Sequence, residues 1–128
     1  MKKILIVEDE PASLKLMSTI LRASGYQVVT AQDAIGAVST AKRERPDLMV
    51  LDVNLPGGDA LVVIKRLSTM GAMTPLVVVS ANEINRQRAL DAGADAFLLK
   101  PLDPATFVAA IKGALGEAEA HAPAGSPE

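Results

Sequence analysis

The chain has 128 residues, 49% of them hydrophobic, with 13 Lys and Arg against 15 Asp and Glu and a net charge of −2. This length and hydrophobic content predict one folded domain and exclude a disordered chain, and the near-neutral charge argues against nucleic-acid binding by bulk electrostatics. With no Cys, a single His (His121), one Tyr and two Phe, the chain has no basis for thiol or iron–sulfur chemistry, a Ser-His-Asp triad, a multi-His metal site or a base-stacking surface.

The beginning of the chain carries no targeting or membrane-spanning pattern. Met1-Lys2-Lys3 is typical of the start of a signal peptide, but the apolar run that follows, Ile4 to Val7, has only four residues and ends at Glu8. Such a run is too short for the core of a signal peptide or for a bilayer span. We therefore expect a soluble, cytoplasmic protein.

Five short apolar runs recur along the chain, each followed by a polar turn and a helical pattern. They are Ile4 to Val7, Gln27 to Ala31, Leu48 to Leu51, Leu76 to Val79 and Ala96 to Leu99. Four of them are almost continuously aliphatic, which is typical of strands that are buried on both faces of a parallel sheet. The run at 27–31 is more mixed, so we expect an edge strand there.

The stretches between these runs predict five helices. The first starts at Pro11, carries Leu14, Met17, Ile20 and Leu21, and ends at Ser24-Gly25; the second is capped by Asp33 and stops before Pro46; the third is capped by Asp59, with Leu61, Ile64 and Leu67 inward; the fourth covers about 83–92 and ends at Gly93; the fifth begins near Pro104 and carries Phe107, Val108 and Ile111. Alternating strands and helices predict right-handed βαβ units and an α/β, (βα)5 three-layer sandwich. We expect this domain to cover residues 1–116 and the Ala-, Pro-, Gly- and Glu-rich residues 117–128 to form a flexible tail.

Polar side chains directly follow four of the five apolar runs. Glu8-Asp9-Glu10 follow the first run, Asp52 the third, Ser80 the fourth and Lys100 the fifth. A single acid or Ser at a strand end is often only a turn or helix-capping residue. Because ligands bind outside the carboxyl ends of the strands in an open α/β sheet, however, we expect all four positions to converge on one site.

These residue types together are those of a phosphoryl-transfer site. Clustered carboxylates repel each other, and a hard divalent cation such as Mg²⁺ compensates that repulsion. Lys100 supplies a compact positive charge for a carboxylate or phosphoryl group, and Ser80 supplies a donor and an acceptor. An Asp carboxylate can itself act as the nucleophile and form an aspartyl phosphate. We therefore predict magnesium-dependent phosphoryl transfer around Asp52.

At these residues the chain resembles a receiver domain of the bacterial two-component response-regulator family, over about residues 2 to 115. The matching pieces are Glu8-Asp9, Pro46-Asp47-Leu48 leading to Asp52, Asn54-Leu55-Pro56, Pro75 leading to Val77-Val78-Val79-Ser80-Ala81, and Ala92-Gly93-Ala94-Asp95 leading to Phe97 and Lys100-Pro101. The resemblance implies a flavodoxin-like fold with a five-stranded parallel sheet in the order 2-1-3-4-5. It also implies a signalling domain, with self-phosphorylation and autodephosphorylation chemistry, rather than an enzyme acting on a separate substrate.

The resemblance further implies a phosphoacceptor and a metal site. Asp52 would accept a phosphoryl group from a His of a sensor histidine kinase or a histidine phosphotransfer protein. Asp9, Asp52 and the backbone carbonyl of Asn54 would ligate Mg²⁺ or Mn²⁺ directly, and Glu8 would act through a metal-bound water. The first acidic residue here is Glu8, at a position where the family also commonly has the shorter Asp.

The remaining implied roles concern switching. Lys100 would pair with Asp52 and then with the phosphoryl oxygens, Ser80 would swing toward the phosphoryl group, and Phe97 would change rotamer. Asn54 and Asn82 would influence the lifetime of the phosphoryl group, and the Lys100-Pro101 peptide bond would be cis. The output surface would be the fifth strand with the helices at 83–92 and after Pro104, contacting a downstream protein rather than nucleic acid or membrane.

Several alternatives stay open on the sequence alone. The chain could be a receiver-like interaction module that is never phosphorylated. A flavodoxin-like or Rossmann-like cofactor binder is disfavoured by the acidic loop 8–11, and a hydrolase with an Asp nucleophile by the lack of a second carboxylate in 52–54. Leu14, finally, could belong to the core or form, with Pro11 and Leu102, an apolar patch for a phosphodonor helix.

Overall fold

The computed structural model describes residues 1–55 and 74–117 of the chain. Its elements, in chain order, are β1 (Lys3–Val7), α1 (Pro11–Ala23), β2 (Gln27–Ala31), α2 (Ala34–Glu44), β3 (Leu48–Asp52), β4 (Leu76–Ser80), a 3₁₀ turn (Glu83–Asn85), α3 (Arg86–Asp91), β5 (Ala96–Leu99) and α4 (Pro104–Leu115). The helix predicted to be capped by Asp59, and the predicted tail from 118 onward with His121, lie outside the described residues.

The five strands form one parallel sheet in the order β2-β1-β3-β4-β5. This confirms the α/β fold class, the strand order and the flavodoxin-like arrangement. The more mixed strand, β2, lies at one edge, as its composition predicted. The central strands β1, β3 and β4 are buried almost throughout because helices cover both faces of the sheet.

Alternate residues of each strand enter two separate hydrophobic cores. In β1, Leu5 and Val7 pack in the layer that contains α2 and α3, whereas Ile4 and Ile6 pack in the layer that contains α1 and α4. This alternation follows from the two-residue period of a strand. Leu14 is half-buried against the α1–α4 core, which agrees with the first of its two readings.

The helices start where polar side chains can accept hydrogen bonds from free backbone N–H groups. In α1, Glu10 accepts a bond from the Ser13 backbone N–H at 2.9 Å, and Pro11 occupies the first helical position. The predicted helix at 83–92 is instead a 3₁₀ turn followed by the six-residue α3. Asn82 explains the difference locally, because its side-chain oxygen accepts a bond from the Ile84 N–H at 3.0 Å and so starts the tighter turn.

The amino end of the sheet holds a second set of contacts, at the opposite end from the strand-end acids. The Tyr26 hydroxyl donates to Glu117 Oε1 at 3.0 Å, and the Lys112 ammonium lies 5.6 Å from the centre of the Tyr26 ring. Burial, then the contact with Glu117, raises the pKa of Tyr26 to about 12. Glu117, predicted as the first residue of the tail, is therefore bonded to the domain.

The cap of α2 gives a direct test of these local interactions. Asp33 Oδ1 accepts a bond from the Gly36 N–H at 2.6 Å, and a Cβ at Gly36 would lie 3.0 Å from that oxygen. We expect Asp33→Ala to lower the free energy of unfolding by about 1 kcal/mol, because the helix loses its cap. Asp33→Asn keeps the accepting oxygen and should lose clearly less. Urea unfolding followed by circular dichroism measures both, and equal losses in the two variants would contradict the capping role.

Candidate functional site

The parallel register brings the ends of four strands to one edge of the sheet. Val7 pairs with Leu51, Asp52 with Val79, and Ser80 with Leu99. This register puts four residues side by side at the carboxyl ends of neighbouring strands: Glu8, Asp52, Ser80 and Lys100. The Lys100 backbone N–H also donates to the Ser80 carbonyl oxygen at 2.7 Å. The strand-end residues singled out in the sequence are therefore neighbours in the structure.

A buried ion cluster lies at the centre of this edge. The Lys100 ammonium donates to Glu8 Oε1 at 2.7 Å and to Asp52 Oδ2 at 3.1 Å. Glu8 is completely buried and Asp52 is 5% exposed. Buried carboxylates are costly without partners, so Lys100 is what allows both acids to stay inside the protein.

The environment shifts the pKa of two members of this cluster in the same direction. Burial, followed by the contact with Asp52, raises the pKa of Glu8, and the hydrogen bond from Lys100 opposes that rise. Burial works to lower the pKa of Lys100, but its hydrogen bonds to Glu8 and Asp52 outweigh burial and raise it. Lys100 therefore stays positively charged at neutral pH, next to carboxyl groups that repel each other.

Three carboxyl groups of the site are spaced to share a cation. Glu8, Asp9 and Asp52 each place a carboxylate oxygen within 4.8 Å of the other two, and Asp9 is exposed. Two oxygens bound directly to one Mg²⁺ lie at most about 4.2 Å apart, given Mg–O distances of about 2.1 Å. The set therefore fits one hard cation that each carboxylate can bind directly or through a water.

Backbone N–H groups orient two of these carboxylates. Asp52 Oδ1 accepts a bond from the Asn54 N–H at 3.0 Å, and Glu8 Oε2 accepts one from the Glu10 N–H at 3.2 Å. Asn54 is exposed, beside Asp52. Each carboxylate is thus held on both of its oxygens, with the Lys100 ammonium on the other side.

Ser80 is fully buried, and its hydroxyl bonds to the segment that follows β4. Its Oγ donates to the Asn82 carbonyl at 3.2 Å and accepts from the Asn82 N–H and from the Asn85 side-chain amide, each at 3.0 Å. The Asn82 side chain itself caps the 3₁₀ turn. Ser80 is therefore at the predicted edge of the sheet, with its hydroxyl tied to the following loop.

Phe97 is buried in β5 beneath a charged side chain. It is 6% exposed, and the Arg86 guanidinium carbon lies 4.8 Å from the centre of its ring, a cation–π distance. Arg86 is in turn ion-paired with Glu83, and this hydrogen bond lowers the pKa of Glu83. Sequence reasoning missed Asn85 and Arg86, because both are ordinary residues for the start of a helix and no pattern singles them out.

An apolar groove opens beside Lys100. It has a volume of about 350 Å³ and is lined by Ser13, Leu16 and Met17 of α1, by Ala81, and by residues 100–102. Leu16 is 49% exposed, whereas the predicted patch residue Leu14 packs into the core. The Lys100-Pro101 peptide bond at the rim of the groove is cis.

The part of the chain that the structure describes contains no helix long and apolar enough to span a bilayer.

Comparison with known proteins places the chain in a signalling family. Residues 4–112 match the response regulator receiver domain family, and the chain belongs to it. It is 40% identical over 124 residues to the alkaline phosphatase synthesis transcriptional regulatory protein PhoP of Bacillus subtilis, covering 95% of this chain and 52% of the relative. The chain thus spans about half the length of the curated relatives it matches.

Solved structures agree with the family assignment. A receiver domain of a sensor histidine kinase from Pseudomonas aeruginosa, with a magnesium ion coordinated in its active-site cleft, is 30% identical with a TM-score of 0.83, over 90% of this chain and 98% of that one. The BeF3-activated N-terminal receiver domain of Klebsiella pneumoniae RstA is also 30% identical, with a TM-score of 0.82, over 88% of this chain and 97% of that one. The fold and family therefore rest on both sequence and structure.

Glu8 and Glu10 have pKa values shifted in opposite directions, so they predict opposite pH dependences of the free energy of unfolding. A carboxyl group whose pKa is raised by folding binds an extra proton in the folded state, so the free energy of unfolding falls as pH rises from the ordinary value of 4.5 through the folded-state pKa. Glu8→Gln removes that fall. We expect it to stabilise the metal-free protein, relative to wild type, more at pH 7.5 than at pH 5.

Glu10 provides the matched comparison, because its hydrogen bonds from Ser13 lower its pKa. Its stabilising contribution is present above pH 4.5 and is lost as pH falls through its folded-state pKa, so Glu10→Gln should cost more at pH 7.5 than at low pH. Urea unfolding in EDTA, from pH 7.5 to below pH 4.5, measures the free energy of unfolding of both variants. The same pH trend in the two variants would contradict the assignment.

Proposed function

We propose that Asp52 is the phosphoacceptor of this receiver domain and takes its phosphoryl group from a His of a sensor histidine kinase or a histidine phosphotransfer protein. One observation carries the proposal: the Asp52 carboxylate, 5% exposed at a strand end, is held by the Lys100 ammonium beside two further acids. Such a carboxylate is fixed in orientation and surrounded by the groups that phosphoryl transfer requires.

The transfer uses the carboxylate of Asp52 as a nucleophile. A carboxylate oxygen forms a bond to phosphorus while the bond between phosphorus and the donor imidazole nitrogen breaks, and the imidazole takes up a proton. Lys100, now 3.1 Å from Asp52 Oδ2, is close enough to bond to oxygens of the arriving phosphoryl group. The chain acts as a signalling domain whose own Asp is modified and later dephosphorylated, not as an enzyme that turns over a separate substrate.

The metal of this reaction is proposed to be Mg²⁺, which Mn²⁺ could replace. Asp9, Asp52 and the Asn54 carbonyl would bind it directly, and Glu8 would bind through water. The grouping of the three carboxylate oxygens within 4.8 Å of one another supports one shared cation, which such a set can bind directly or through water. When bound, the cation supplies positive charge that offsets the charge of the phosphoryl oxygens.

Two residues are proposed to transmit the phosphorylated state. Ser80 would turn its hydroxyl toward the phosphoryl group, and Phe97 would change rotamer, so that the face of β5, α3 and α4 presents a different surface to a downstream protein. Asn54 and Asn82 are exposed next to the site, which suits their proposed influence on the lifetime of the phosphoryl group. A cytoplasmic location would give the domain access to such partners.

The groove beside Lys100 is proposed to receive the phosphodonor. Its wall includes the half-exposed Leu16 and the partly buried Leu102, and it ends at the amine that contacts Asp52. An amphipathic helix that buries apolar side chains there would bring its His close to the acceptor. The proposed docking patch is therefore centred on Leu16 rather than on Leu14.

Phosphorylation at Asp52 can be tested by mass. Incubation with acetyl phosphate and Mg²⁺ should give one labile phosphoryl adduct in the intact mass of the wild type and none in Asp52→Ala. Asp47→Asn is the matched control, because Asp47 contacts the Lys3 N–H at the amino end of the sheet; it should keep the adduct. An unmodified wild type would instead favour a receiver-like module that is never phosphorylated.

A comparison of Asp9 with Glu10 tests whether Mg²⁺ is bound by a particular carboxylate or only attracted by the negative charge of this loop. Asp9 belongs to the carboxylate cluster, whereas the Glu10 side chain caps α1. We expect Asp9→Asn to weaken Mg²⁺ binding at least about 10-fold, since losing an outer-shell partner alone costs about that much, and Glu10→Gln to change it little. Titration of Mg²⁺ followed by NMR measures both affinities, and an equal loss in the two variants would contradict direct binding by Asp9.

A further inference from the structure

Asn85 stands at the start of α3 but does not act as a helix cap. It ends the 3₁₀ turn with helical backbone angles (φ −83°, ψ −7°), so α3 continues directly from the turn and the Asn85 side chain makes no capping bond. Its amide instead donates to Ser80 Oγ at 3.0 Å, five residues earlier in the chain. The Asn82 side chain caps the turn, and the Asn85 side chain bonds to the hydroxyl at the end of β4.

This bond fixes the direction of the Ser80 hydroxyl. Ser80 is completely buried, and Asn82 supplies both the acceptor for its proton and a second donor to its oxygen. With two donors and one acceptor already in place, the hydroxyl has little capacity left for a further partner. Any turn of Ser80 Oγ toward a phosphoryl group on Asp52 must first break the bond from Asn85.

The residue after Asn85 contacts the other proposed switch position. The Arg86 guanidinium covers the Phe97 ring and is itself held by Glu83. Two consecutive side chains at the start of α3 therefore touch Ser80 and Phe97, one each. A movement of Ser80 or of Phe97 therefore changes a contact of the same turn, at Asn85 or at Arg86.

We infer that Asn85 is a positioning residue that restrains Ser80 in the unphosphorylated protein and so limits the population of the form that binds a phosphoryl group. This inference rests on the proposed function, because it assigns a regulator to the same acceptor site. Asn85 stabilises only the resting arrangement, and a contact made in one of two states shifts the equilibrium between them. Its removal favours the phosphoryl-binding form by about 2- to 12-fold, the range expected for one net hydrogen bond.

Beryllofluoride with Mg²⁺, a phosphoryl mimic, is the probe for this effect. We expect Asn85→Ala to bind beryllofluoride about 2- to 12-fold more tightly than the wild type at fixed Mg²⁺, measured by NMR titration. Asn85→Ser is a second variant, because it keeps a helix-capping side chain but is too short to reach Ser80, and it should show the same gain. Gln87→Ala is the control: Gln87 bonds to Asp91 on the exposed side of α3 and should bind like the wild type.

A double-mutant cycle ties the gain to Ser80. In a Ser80→Ala background the Asn85 amide has lost its partner, so adding Asn85→Ala should leave the beryllofluoride affinity unchanged. A purely structural defect would weaken binding in both backgrounds, and thermal unfolding of each variant reports whether it is folded.

The outcomes separate this inference from the proposed function. A wild type that binds beryllofluoride, together with Asn85 variants that bind it equally or less tightly, overturns the inference alone. A gain that persists without the Ser80 hydroxyl also overturns it. A wild type that binds no beryllofluoride overturns the phosphoacceptor function and the inference with it.

Discussion

The burial of two carboxylates around one ammonium is the constraint on which this domain depends. Glu8 and Asp52 are inside the protein, and the Lys100 ammonium, at 2.7 and 3.1 Å from their oxygens, is their shared positive partner. A buried ion pair of this kind often contributes little net stability, because desolvation offsets the attraction. Its presence at the ends of three strands is better explained by a binding site than by folding, because the cluster holds the Asp52 carboxylate in a fixed orientation and provides one ammonium for two acids.

The architecture makes such a cluster possible with few residues. In a parallel sheet all strands end at the same edge, so β1, β3, β4 and β5 bring polar side chains together there without a change in the core. The strands β3 and β4 each run one residue beyond the apolar runs of the sequence, so that Asp52 and Ser80 are themselves paired in the sheet. Asp52 and Ser80 are therefore fixed by the sheet itself, while the residues that bond to the Ser80 hydroxyl stand on the segment that follows β4.

The sequence predicted the sheet and the location of the site, because both depend on strong and local patterns. Continuous aliphatic runs identified buried parallel strands, and the polar residue after each run identified the edge. The partners of Ser80 and Phe97 were not predictable in the same way. Asn85 and Arg86 reach them through side-chain directions set by the 3₁₀ turn, and the periodicity of 83–92 indicated a single α-helix instead. The groove is lined by Leu16 and not by the predicted Leu14 for a similar reason. Both are apolar residues of α1, and only the structure shows that Leu14 packs against the core.

Tyr26 has a practical consequence for experiments on this chain. It is the only Tyr, and there is no Trp, so the intrinsic fluorescence of the protein comes from one ring at the amino end of the sheet. That ring sits between Lys112 and Glu117, far along the strands from the acidic edge. Its emission therefore reports whether the last turn of α4 stays packed against Tyr26. Binding of a ligand at the acidic edge changes this emission only if it alters the structure at the amino end of the sheet.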